Sequence, residues 1–309
     1  MISNYTNDLD YLNSSLIYKV NPNRIDETLD TIKNKIKEKT TLTSFDEIFT
    51  QRNEFEKLQK FCLEKQKEGI EVKILTSSLK EIENGFNPIV NFLCWSNTTY
   101  KNETKENSLH FNLNNFINFP TKNKKFILSW RKDSKTRTEL LSGIEFESTD
   151  SIIKYHNINP YNLRDINNPL TEDKKYVSWE FLMNNYKSSL ISFITETEYW
   201  IENSNIICNE VIPFTEKIII PLLTKTLPIV FAPKDYNEYL NNIGFFTLNQ
   251  EYGINGTDIL EYNKCIKKIQ SQSFNDVKKI YDKYQKEIDN NYKLIIDIIN
   301  YPKLKIINE

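Results

Sequence analysis

Ser189-Leu190-Ile191-Ser192-Phe193-Ile194 is a stretch of apolar and small residues with no apolar–polar alternation. A strand with one wet face alternates; a run that does not is covered on both faces, as in a parallel sheet between helices. Lys125-Phe126-Ile127-Leu128-Ser129-Trp130 and Leu227-Pro228-Ile229-Val230-Phe231-Ala232 read the same way. Between these runs the spacing turns helical: Glu139-Leu140-Leu141 begins a helix, Val177 to Tyr186 is a second, and a third starts at Thr215. Strands alternating with helices predict an α/β fold.

The first half carries a similar order. Leu16-Ile17-Tyr18-Lys19-Val20 reads as a strand, and Asp26 to Lys37 as a helix through Ile25, Leu29, Ile32 and Ile36. Phe45 to Lys67 reads as an amphipathic helix stopped by Gly69, a common position for helix-ending glycine. Val72 to Leu75 and Ile89 to Trp95 follow as strands. A polar, Asn-rich stretch over 97–123 separates the halves, giving domains at 1–120 and 121–256. Residues 144–176 read as irregular, Asp235 to Asn242 as a short helix closed by Gly244, and Phe245 to Leu248 as a small strand. From Ile259 to Ile299 the pattern is helical throughout, and 257–309 forms a C-terminal helical segment.

Composition excludes several functions. The 309 residues are 39% hydrophobic and 27% charged, within the range of globular chains. Six glycines leave little for a Gly-rich phosphate loop. A net charge of −2 sets up no global field towards DNA or acidic lipid. Cys62, Cys94, Cys208 and Cys265 lie far apart, without zinc or CxxC spacing, and read as reduced thiols of a cytoplasmic protein. The first residues show no basic, then apolar, signal pattern, and no apolar run reaches the roughly 18–20 residues of a membrane span.

Three polar groups follow strands or open a helix: Arg131 to Arg137, Thr195-Glu196-Thr197, and Thr215-Glu216-Lys217. Open α/β sheets bind ligands beyond the carboxyl ends of their strands. Arginines pair with phosphate oxygens in bidentate fashion, and a carboxylate such as Glu216 accepts from ribose hydroxyls. Thr215 can cap a helix whose first turn holds Glu216 and Lys217. A lysine there is unfavourable for the helix but favourable for an anion shared with its free amides. Solvated loop charges are the competing account of each group taken alone. Together the groups describe a nucleotide diphosphate pocket.

The order of these blocks resembles a set of glycosyltransferase-like proteins of viruses and bacteria. Their blocks are a strand followed by a basic segment, a strand ending in T-E-T, and T-E-K followed by an apolar strand and an L-G-F-type helix end. This chain has Ser129-Trp130-Arg131-Lys132 with Arg137, Ile194-Thr195-Glu196-Thr197, Phe214-Thr215-Glu216-Lys217, Leu227-Pro228-Ile229-Val230 and Ile243-Gly244-Phe245. The T-E-K block also resembles the donor motif of α-1,3-fucosyltransferases. The likeness covers about residues 125–250; Ile218 and Ile220 stand where the family has Thr and Lys. It implies a GT-B architecture: two Rossmann-like domains facing a cleft, with the nucleotide sugar on the second and the C-terminal helices packing back on the first. It also implies that Lys217 and Arg137 bind the donor pyrophosphate and Glu216 the ribose, with Arg131, Glu196 and Thr215 supporting the pocket.

An inverting transfer needs a base on the acceptor hydroxyl. Glu81 and Glu83, after the Val72 to Leu75 strand, are the candidates; His110 and His156 read as structural. The one Asp-x-Asp pair, Asp8-Leu9-Asp10, precedes any strand, so no metal or other cofactor is expected beside the nucleotide sugar. A non-catalytic nucleotide- or glycan-binding protein is the second reading, carried by the altered T-E-K context. A third takes a DNA base as acceptor, with Lys122, Lys124 and Lys125 as the local basic patch.

Overall fold

The computed structural model describes residues 10–21, 24–43, 52–75, 117–130, 139–140, 142–144, 150–155, 179–195, 216–232, 234–300 and 305–307. The chain is mixed α/β and divides into two units. The first comprises Met1–Phe111, Thr197–Thr215 and Asp297–Glu309; the second comprises Asn112–Glu196 and Glu216–Ile296.

In the first unit, β1 (Leu16–Lys19), α1 (Ile25–Ile32), β2 (Thr40–Thr43), α2 (Arg52–Lys67) and β3 (Val72–Leu75) are joined by the final strand, β8 (Lys305–Ile307). The sheet order is β3-β2-β1-β8, with every pair parallel. Leu29, Ile32 and Ile36 of the α1 stripe pack with Leu58 and Phe61 of α2 over Tyr18, Leu42 and Ile74. Helix α1 ends at Ile32, earlier than its apolar spacing predicts, yet the turn after it still delivers Ile36 to the core.

Strand β2 escapes a hydrophobic reading because it is Thr-Thr-Leu-Thr. Threonine is β-branched and suits a strand. Its hydroxyl then needs a partner once buried. Thr40 Oγ1 donates to the Glu38 carbonyl at 2.7 Å, and Thr41 Oγ1 lies 2.8 Å from Ser15 Oγ.

The second unit contains β4 (Lys124–Trp130), β5 (Ile152–Tyr155), α3 (Trp179–Ser188), β6 (Ser189–Thr195), α4 (Glu216–Leu223), β7 (Leu227–Phe231) and α5 (Lys234–Ile243). Three further helices are α6 (Ile259–Ser271), α7 (Phe274–Lys283) and α8 (Gln285–Asn300). The sheet is again parallel, in the order β5-β4-β6-β7. Every residue of β6 is buried, as a strand without alternation should be. Strand β5 lies in the stretch expected to be irregular; four residues beside a Pro- and Asn-rich segment give little pattern to read.

On one face of this sheet Phe126, Phe193, Tyr262 and Phe231 form a chain of edge-to-face rings with centroids 5.2–5.6 Å apart. The Tyr262 hydroxyl donates towards the carbonyls of Ile194 at 2.9 Å and Ile229 at 3.2 Å, so α6 ties β6 to β7. Burial raises this phenol well above its usual range, and it stays neutral.

The segment Phe245–Leu248 is not a strand. Side-chain amides do the pairing there: Asn291 binds both backbone groups of Phe246, at 2.8 and 2.9 Å. Asn249 does the same for Val230 of β7, at 2.8 and 2.7 Å, and Leu248 N–H donates to the Pro228 carbonyl. The edge of β7 is thereby covered by a side chain.

The C-terminal helical run is broken twice. Ser273 caps α7 by accepting from Asp276 N–H at 3.2 Å, and Tyr284 separates α7 from α8. Ile266, Ile269, Val277, Tyr281 and Ile288 complete the core of the second unit, whereas Asp297–Glu309 belong to the first, where β8 pairs with β1. Residues 257–309 are therefore divided between the two units, at Ile296.

Asn249→Ala should lower the unfolding free energy by about 2 kcal/mol, because it strands two buried backbone groups of Val230. Urea denaturation followed by circular dichroism measures this, and a loss below about 0.5 kcal/mol would show that Asn249 does not hold the edge.

Candidate functional site

The order of the second sheet reverses direction between β4 and β6: from β4 the chain goes outward to β5, and from β6 outward to β7. In open α/β sheets such a reversal marks where ligands bind, beyond the carboxyl ends of the two central strands. Leu128 pairs with Phe193, so two residues further Trp130 comes level with Thr195. In the sequence, Arg131 and Glu196 follow the ends of these two neighbouring strands. Helix α4 packs on β6 and β7 and leads into the start of β7 through Thr224 to Thr226. It runs opposite to the strands, which puts its first residues, Glu216 and Lys217, on the carboxyl side.

Lys217 is half-buried in the first turn of α4. Ile218, Ile219 and Ile220 behind it are buried, so the two positions that depart from the T-E-K pattern supply core packing and no polar group. Pro221 has no N–H to return to the Lys217 carbonyl, four residues earlier, which weakens the start of the helix. Arg131, Arg137, Glu196 and Thr215 lie outside the described residues, as do Glu81, Glu83, His110 and His156. Only the strand and helix ends that carry these segments are placed.

At the opposite, amino edge Lys122 and Lys125 of the local basic patch are engaged by carbonyls of the protein itself. Lys122 Nζ donates to the carbonyls of Lys187 at 3.2 Å, in the last turn of α3, of Ser189 at 2.6 Å, the first residue of β6, and of Thr224 at 3.3 Å, just past the end of α4. Lys125 Nζ donates to Gln270 and Gln272 carbonyls at the end of α6, at 2.6 and 3.0 Å, and pairs with Asp150 at 3.1 Å. Cations favour helix C-termini, where carbonyls lack partners and the dipole is negative. Position, at the start of a buried strand, was the signal in the sequence. Helix α4 itself ends with Lys225 at φ 54°, Lys225 N–H on Leu222 and Thr226 N–H on the Pro221 carbonyl. That is the Schellman pattern with lysine where glycine is usual.

Burial pushes the Cys62 and Cys265 thiols up to about 12, so neither is a nucleophile near neutrality. Among the described residues no group of three His, Cys, Asp or Glu side chains could hold a metal ion, and no helix is long and apolar enough to cross a membrane. Comparison with protein-family models, curated proteins and solved structures found no match.

Lys125→Met should cost about 2 kcal/mol, since it strands the α6 carbonyls and Asp150. Lys217→Met should stay within about 0.5 kcal/mol of the parent, as a partly exposed helix-start residue does. Chemical denaturation of the two variants side by side tests the contrast, and equal losses would contradict it.

Proposed function

We propose that the second unit binds the diphosphate of a nucleotide sugar at its carboxyl edge, and that the chain transfers the sugar to an acceptor hydroxyl or to a nucleophilic group of a DNA base. The observation that carries this reading is the reversal of strand order at β4 and β6. The Arg131 to Arg137 and Thr195 to Thr197 segments leave from those two strands, and α4 begins on the same side with Glu216 and Lys217. Arg137, Lys217 and the free amides of α4 would hold the leaving diphosphate by fixed charge and hydrogen bonds. Arg131, Glu196 and Thr215 would support them, with Glu216 on the ribose. On this reading the two units are the halves of a GT-B enzyme, and the first unit serves the acceptor.

In an inverting transfer the acceptor oxygen bonds to the anomeric carbon as the bond from that carbon to the diphosphate oxygen breaks. The acceptor proton passes to a carboxylate. Glu81 or Glu83, which follow β3 of the first sheet, would take it. The leaving group departs as the diphosphate anion, with its charge met by Lys217 and Arg137, and no metal is needed in this scheme.

The burial of Ile218 and Ile220 favours a second reading, a nucleotide- or glycan-binding protein without turnover, because α4 offers no polar side chain to the site beyond Glu216 and Lys217. Titration calorimetry against uridine and guanosine diphosphates and their sugars, paired with a product assay, separates the two. Lys217→Ala should weaken diphosphate binding at least about tenfold, the order of one charge-assisted contact, while the circular dichroism spectrum is kept. Unchanged binding in that variant would remove α4 from the site. Binding with no product from any acceptor would favour the second reading.

A further inference from the structure

The oxygens around Lys122 form a site in their own right. Besides the Ser189, Lys187 and Thr224 carbonyls, the Thr226 hydroxyl oxygen lies 3.3 Å from the amine. That hydroxyl gives its own proton to the Tyr186 carbonyl at 2.8 Å, which leaves a lone pair for Lys122. Four acceptors therefore surround one nitrogen, and an ammonium brings three N–H donors to them. Two helices, α3 and α4, end there with the negative ends of their dipoles together. The Tyr281 ring, with its centroid 5.5 Å from the nitrogen, adds a cation–π face.

We propose that this cage is a binding site for a primary ammonium ion which the chain fills with its own side chain, and that the charge holds the segment before β4 to α3 and α4. An opposing cation is Lys225, on the turn after α4, which is paired with Asp289 of α8 at 2.8 Å. Burial first, and Lys225 second, lower the Lys122 pKa to about 7. The helix ends and the oxygen cage act the other way. At pH 6 the amine carries its proton, so the charge can be tested there.

At pH 6, Lys122→Met keeps the length of the side chain and removes the charge. Its melting temperature should fall by about 5 °C. Lys122→Ala empties the cage for a small ion. Ammonium or methylammonium chloride should then restore part of the lost stability, in a saturable way, as a ligand of the native state does. Tetramethylammonium chloride at the same ionic strength, which has no N–H to donate, should not. The parent and Lys122→Met should show no such difference between the salts. If Lys122→Ala does not fold in tetramethylammonium chloride, the yield of refolding in ammonium chloride becomes the readout. A Lys122→Met protein as stable as the parent, or a Lys122→Ala protein indifferent to which salt is present, would overturn the proposal.

Discussion

Three helices of the second unit end at the amino edge of its sheet, and their negative ends are met there by two lysines of one short segment. Lys122 takes the ends of α3 and α4, and Lys125 takes the end of α6. A buried helix end without partners would leave several carbonyls unsatisfied, each costing on the order of 1–3 kcal/mol. The segment that starts β4 thus also fixes where the crossover helices stop.

The two edges of this sheet differ in what closes them. The amino edge is closed by lysine–carbonyl bonds, the Schellman turn after α4 and the buried hydroxyls of Thr224 and Thr226. At the carboxyl edge β4 and β6 end side by side, and Arg131 and Glu196 follow those two strands in the sequence. A chemistry built on fixed positive charge needs such a rigid support, because reorganising charged groups at the moment of reaction costs what the fixed field contributes.

Much of the architecture was legible in the chain. Runs such as Ser189 to Ile194 could only be doubly covered strands, and Gly69 and Gly244 stop their helices with φ of 81° and 103°. The elements that escaped had weak local patterns. Strand β2 is mostly threonine, β5 has four residues, and β8 has three. Phe245 to Leu248 carried a strand-like composition, yet Asn291 and Asn249, one of them 45 residues from its partner, took over its pairing and that of Val230. No local window contains that information.

The sequence by itself determined the class of fold, because burial on both faces and helical spacing are properties of neighbouring residues. It also placed polar groups after the strands. Tertiary structure alone decided the order β5-β4-β6-β7, and hence which strand ends stand side by side, since pairing joins residues far apart in the chain. It likewise decided the fate of the lysines before β4. As letters they were a basic patch; in the fold two of them donate to carbonyls within the second unit, at the ends of three helices that meet only when the sheet is formed.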